Sequence, residues 1–274
     1  MESQIIIEFV DTHCHLNFND FDDDRSLVIE RARENGISKI LIPGIDIETS
    51  KTALKCASEF HEVYAAVGLH PNQGLAWTNN TISELRKLAE NRKVVAIGEI
   101  GLDYYRDRAP KALQQSIFEE QLELATELGL PVIVHNREAS DDILNVTQKW
   151  HRNLIIDGKK LADRPGVLHS YSGDISFAIA MISLNFKIGI SGPVTFNKSK
   201  SLQEIVASLP VENILVETDA PYLTPHPFRG KRNEPANVRI VAEKIAELKG
   251  EPLDRVSNIT TAEAGKLFRW REIH

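Results

Sequence analysis

KVVAIGEIGLDYYRDRAPKALQQSIFEEQLELATELGLPVIVH, residues 93–135, sets two short apolar runs on either side of a long amphipathic segment. KVVAIGE (93–99) and LPVIVH (130–135) are nearly all apolar, the pattern of strands buried on both faces of a parallel sheet. Residues 112–128 between them carry a helical period, which Gly129 stops and Pro131 closes off. The same alternation extends in both directions. IIIEFVD (5–11) precedes a helical pattern at 26–35, SKILIPG (38–44) one at 48–60, and EVYAAVG (62–68) one at 82–90. Beyond the central pair, LPVIVH leads to 139–150, GVLHS (166–170) to 175–184, FKIGIS (186–191) to 202–209, and NILVETD (213–219) to 237–248. Eight strand-then-helix units over about 250 residues predict an α/β fold, a closed (β/α)8 TIM barrel. The competing open doubly wound sheet lacks its signal, since no GxGxxG follows the first strand. With no linker, low-complexity run or repeat, residues 1–274 are expected to form one domain. Residues 251–268 should add one or two C-terminal helices packed on the outside.

Composition narrows the class. The 274 residues are 42% hydrophobic and 26% charged, as in an ordinary globular protein, with a formal net charge of −7. Cys14 and Cys56 are too few for a disulfide scaffold and point to a reducing compartment. MESQIIIEFVDTHCHL has no basic leader, and no run of about 18 apolar residues could span a bilayer. The expectation is a cytoplasmic monomer without membrane contact or obligate protein partner. The acidic balance excludes a protein that coats nucleic acid through charge alone.

Polar residues gather at the predicted strand ends. The first strand ends in Asp11-Thr12-His13-Cys14-His15, and side chains at i and i+2 of a strand share a face about 6.6 Å apart. His13 and His15 therefore face the barrel interior together and Cys14 points away, a buried structural thiol. Glu99 ends the fourth strand, His135 the fifth, His169 the sixth and Asp219 the eighth. In a barrel these ends converge on one mouth, where active sites sit. A buried Glu closing an apolar strand is costly without a partner, and six such groups read as a metal centre. Six ligands exceed a closed tetrahedral site and suit two divalent ions about 3.5–4 Å apart. Glu99 is the expected bridge. His13, His15 and Asp219 would hold one ion, and His135 and His169 the other. The ligand mix suits Zn²⁺ or Mn²⁺ and is less natural for Mg²⁺. Such a centre makes hydroxide available near neutral pH, so the reaction class is hydrolysis, with Asp219 accepting the water's proton. Glu217, on the same face, either orients a ligand or has a structural role in the barrel interior.

These residues resemble a known family. DTHCHL (11–16), GLHP (68–71), GEIGLDYY (98–105), PVIVHNREA (131–139), GVLHSYSG (166–173), ETDAPYL (217–223) and RGKRNEP (229–235) look like the TatD-type metal-dependent hydrolases of the amidohydrolase superfamily. The resemblance runs in order over nearly the whole chain and implies metal ligands at His13, His15, Glu99, His135, His169 and Asp219. It also implies deoxyribonuclease activity, with 3′ to 5′ trimming of single strands. Asn72 stands where many members carry another histidine, and Tyr171 where phenylalanine is common.

The loops at the mouth bear on which bond is cut. Arg106, Arg108, Arg137, Lys198, Lys200, Arg229, Lys231 and Arg232 all follow strand ends, and loops after strands 7 and 8 often bind phosphate. Arg229, Lys231 and Arg232 are the candidate phosphate contacts, with His70 and Tyr104 as further substrate contacts. Aromatic residues at the same level suit stacking of single-stranded bases. DFDDD (20–24) lacks the spacing of a calcium loop and reads as a helix start and solvated face. The leading expectation is a metal-dependent phosphodiesterase acting on DNA. Its alternatives are hydrolysis of a carboxylic ester or amide, as in an aminoacyl-tRNA deacylase or small-molecule amidohydrolase, and a non-catalytic nucleotide-binding barrel.

Overall fold

The computed structural model describes residues 7–270. Eight parallel strands follow one another in spatial order: β1 (Phe9–Asp11), β2 (Ile37–Pro43), β3 (Val63–Val67), β4 (Val94–Asp103), β5 (Val132–Arg137), β6 (Gly166–Leu168), β7 (Lys187–Ile190) and β8 (Ile214–Val216). The helices between and after them are α1 (Arg25–Glu34), α2 (Ile47–Glu59), α3 (Thr81–Ala89), α4 (Lys111–Leu128), α5 (Ser140–Ile156), α6 (Ile175–Ser183), α7 (Lys200–Ser208), α8 (Val238–Lys249) and α9 (Leu253–Phe268). The predicted α/β barrel is the observed one. Ile5 and Ile6 of the predicted first strand lie outside the described residues. Among the described residues no helix is long and apolar enough to cross a membrane.

Alternation along the strands builds two apolar layers. Phe9, Ile40, Ile42, Val132, Val134, Ile214 and Val216 pack with the helices in the outer layer. Val10, Leu41, Tyr64, Ala66, Ile133, Val167 and Leu215 fill the inside of the barrel. Ala264, Leu267 and Phe268 of α9 join this inner set. The C-terminal segment is thus one helix, and its last turn plugs the end of the barrel opposite the functional residues rather than lying on the outside. Its small and large apolar residues complete a core that the short strands leave open at that end.

The seam between β8 and β1 is closed by the segments that follow both strands. The Thr12 amide donates to Val216 O at 3.2 Å, His15 to Ala220 O at 2.7 Å and Asp219 to His13 O at 2.8 Å. The buried Asp11 carboxylate accepts from the Thr218 amide at 2.9 Å and its hydroxyl at 2.5 Å. The residues that join the seam are the neighbours of His13 and Asp219, so barrel closure also sets those two side chains. Removing the Phe268 ring from the plugged end tests the inner layer. Phe268→Ala should cost about 3–5 kcal/mol in denaturant unfolding, whereas a loss below about 1 kcal/mol would place this ring outside the core.

Candidate metal centre

Glu99 is the hub. β4 carries it into the barrel mouth, where it is 3% exposed. Its Oε1 lies 2.9 Å from His135 Nδ1, 2.9 Å from His169 Nε2 and 3.3 Å from His70 Nε2. Its Oε2 lies 3.5 Å from His13 Nε2 and 3.9 Å from His15 Nε2. Asp219 Oδ1 completes the other side, 3.7 Å from His13 Nε2 and 3.6 Å from His15 Nε2. All six sequence-derived ligands therefore meet, and His70 joins them.

Local backbone makes this convergence possible. Plain alternation from Val10 inward and Asp11 outward would turn His13 away from the mouth. A bend at Thr12 resets the alternation, so His13 and His15 face inward and Cys14 enters the outer core. Asp219 has a left-handed backbone (φ 57°), unusual for a non-glycine residue and held here by the seam. Glu217 fits behind His169 because β7 offers no side chain there: a Cβ on Gly189 would come within 2.4 Å of Glu217 Oε2. Glu217 Oε1 accepts from the Ser170 amide and stands 3.7 Å from His169 Nδ1.

The donor set fits divalent metal. Ligand atoms about 2.1 Å from a shared ion stand roughly 3.0–3.4 Å apart. His13 Nε2 and His15 Nε2 are 3.3 Å apart, as are His135 Nδ1 and His169 Nε2. Three groups bring ligand-type atoms within 4.8 Å of one another: His13–His15–Asp219, His13–Glu99–His169 and His70–Glu99–His135. His70 differs from the rest. Its Nδ1 accepts the Asn72 amide at 3.1 Å, so in the neutral ring the proton sits on Nε2, facing Glu99. It is a donor there rather than a lone-pair ligand.

Charge is balanced inside the cluster. Burial alone would raise the Glu99 carboxyl, but His169 and His70, with hydrogen bonds from His13 and His135, hold it well below the usual carboxylate range. Burial also opposes ionisation of Asp219, which His15 and His13 nevertheless keep low. His13, buried and repelled by His169, is pushed down. Burial would lower His169 as well, yet Glu99 and Glu217 drive it well above its ordinary value.

The cluster opens into a cavity of about 340 Å³ lined also by Phe18, Ile45, Asn72, Gln73, Asp103, Arg106, Arg108 and Tyr222. Phe18 stacks on His15 with centroids 4.6 Å apart, and Tyr222 stands edge-on to both rings. Arg106 and Arg108 are the basic residues of this lining, and neither pairs with a carboxylate among the described residues. The sequence-derived phosphate contacts sit elsewhere. Arg229 stacks over Phe196 and Lys231 over Phe228, both exposed and off the cavity wall. Arg232 pairs with Asp24 at 2.7 Å and Glu234 at 3.2 Å, in a network with Arg31 that ties α1 to the loop before α8. The Tyr104 hydroxyl donates to Asp142 at 2.6 Å and lines a neighbouring hollow. Tyr171 is buried, its hydroxyl donating to Asp174 O.

Sequence reading missed Asp103, a buried carboxylate 3.4 Å from His135 Nε2. Burial opposes its ionisation, but His135, the Arg106 amide and Asn72 hold it far below the usual carboxylate range. The signal was its place at the true end of β4, four residues past Glu99. An ion at this cluster should stabilise the fold, because it binds donor atoms that only the folded chain brings together. Stripping metal with a chelator should lower the unfolding temperature and adding Mn²⁺ or Zn²⁺ should restore it. An unfolding temperature indifferent to both would contradict the assignment.

The family model described as TatD related DNase matches residues 10–269. The chain is 40% identical over 259 residues to the uncharacterized metal-dependent hydrolase YabD of Bacillus subtilis, covering 94% of this chain and 98% of that one. The crystal structure of the TatD homologue YjjV of Escherichia coli superposes with a TM-score of 0.88 at 33% identity, covering 97% and 99% of the two chains. A TatD-family hydrolase of Entamoeba histolytica shares the fold, with a TM-score of 0.84 at 24% identity over 97% of this chain and 99% of that one. With its whole barrel matched at this level, the chain belongs to the TatD family.

Proposed function

We propose that this protein is a metal-dependent hydrolase that cleaves phosphodiester bonds in DNA, with single strands preferred. One observation carries the reading: the six-residue cluster opens into a cavity whose two arginines, Arg106 and Arg108, have no carboxylate partner among the described residues. Unpaired guanidiniums beside a metal-type centre suit a substrate that brings its own negative charge, and their planar forks match phosphate oxygens.

His13, His15 and Asp219 would hold one divalent ion and His135 and His169 a second, with Glu99 shared between them; Zn²⁺ or Mn²⁺ suits these donors better than Mg²⁺. When bound, such ions supply a Lewis acid and a water acidic enough to lose its proton near neutral pH. The chain's own groups do the rest. The Asp219 carboxylate accepts the proton of the attacking water and returns it to the leaving oxygen. His70 presents its Nε2 proton to Glu99 and the cavity. Arg106 and Arg108 orient the phosphate group. Phe18 and Tyr222, an aromatic pair at the mouth, offer the bases a stacking surface.

A neutral carboxylic ester could be cleaved by the same cluster but would gain nothing from the arginines. With Mn²⁺ present, Asp219→Asn should lower turnover of single-stranded DNA at least about a hundredfold. Arg106→Ala with Arg108→Ala should raise KM for that DNA several-fold and leave hydrolysis of a neutral ester unchanged. Single-stranded DNA left intact with Mn²⁺, Mg²⁺ and Zn²⁺ would refute the nuclease reading, and equal losses on both substrates would refute the role of the arginines.

A further inference from the structure

Asp103 stands where three parts of the mouth meet. Its Oδ1 accepts the amides of Tyr105 at 3.1 Å and Arg106 at 2.8 Å, fixing the start of the loop that carries both cavity arginines. Its Oδ2 accepts the Asn72 side chain at 2.9 Å and lies 3.4 Å from His135 Nε2. The buried Gln114 of α4 pins the same loop at both ends. It accepts the Asp103 amide at 2.8 Å and donates to Asp103 O at 3.1 Å and Ala109 O at 2.8 Å.

This geometry has a chemical consequence for His135. Its Nδ1 faces Glu99 and His169, so that nitrogen must carry the lone pair if the ring is to bind an ion. The proton then belongs on Nε2, a buried atom with no well-formed hydrogen bond. Asp103 Oδ2 stands opposite it, and the remaining partners of that carboxylate are all N–H donors. An acceptor so placed selects the tautomer and the ring orientation of the histidine in front of it. Asn72 extends the link, because its amide also fixes the His70 tautomer.

We infer that Asp103 is a positioning residue that joins metal binding at His135 to the placement of Arg106, so that one carboxylate sets both the metal donor and the substrate-binding loop. The arginine half of this inference rests on the proposed phosphodiester substrate; the His135 half does not. Asp103→Asn keeps the volume but removes the negative charge that attracts the donors on both sides, and places an N–H against one of them. Both halves can then be read separately.

The test is a titration of the purified protein with Mn²⁺ alone, following the electron paramagnetic resonance signal of the free ion, which needs no turnover. His135→Ala and His15→Ala identify which binding step depends on which side of the cluster. Asp103→Asn should weaken the His135-dependent step about ten- to hundredfold and leave the His15-dependent step in place. Arg106→Ala should leave both steps unchanged and raise KM for single-stranded DNA, an increase that Asp103→Asn should share. An unchanged His135-dependent step, or an equal weakening of both steps, would overturn the inference. If DNA proves not to be a substrate while the selective loss of Mn²⁺ affinity stands, the proposed function fails and the role of Asp103 at His135 survives.

Discussion

A carboxylate buried at the end of an apolar strand is expensive unless cations or donors surround it, and Glu99 is such a group. No single neighbour could compensate it. β1, β5 and β6, with the turn after β3, each bring an imidazole nitrogen to within 4 Å of its two oxygens. Those strands can do so only because the barrel closes, and the seam between β8 and β1 closes through the residues flanking His13 and Asp219. The ligand cluster and the closure are thus one construction. The opposite end carries none of these groups, and the apolar side chains of the last turn of α9 fill it.

Much of this was legible in the sequence because the relevant signals are local. Parallel strands buried on both faces read as apolar runs, and a polar residue that ends such a run stands out. Glu99, His135, His169 and Asp219 were found in that way, and the His13–His15 pair by its spacing. His13 and His15 face the mouth together not by plain strand alternation but because the bend at Thr12 resets it. Asp103 stayed hidden for a related reason. The fourth strand appeared to stop at its Glu, but it continues to Asp103 through Gly101, where a Cβ would come within 2.1 Å of His135 O. Only a glycine lets β4 and β5 approach closely enough to put a carboxylate behind His135.

What sequence reading could not supply is pairing between distant charges. Arg232 looked like a phosphate contact by type and position. Asp24 meets it from more than 200 residues away, so its charge is spent inside the protein. The same holds for DFDDD, read as a helix start and solvated face, whose last residue also pairs with Arg31. Arg106 and Arg108 carried no stronger local signal than Arg229 or Lys231, yet they line the cavity. A basic residue's availability is a property of the fold, because it depends on which carboxylates the fold brings near.

The net charge of −7 argues against a broad grip on duplex DNA, and the cavity sets two arginines, Arg106 and Arg108, beside the acidic and imidazole groups of the cluster. The account stands or falls on the cluster around Glu99 holding divalent ions. The most direct measurement is anomalous scattering from crystals grown with Mn²⁺ or Zn²⁺. The account predicts peaks within bonding distance of Glu99, one shared with His13, His15 and Asp219 and one with His135 and His169. Ordered side chains at these positions with no anomalous peak among them would contradict it.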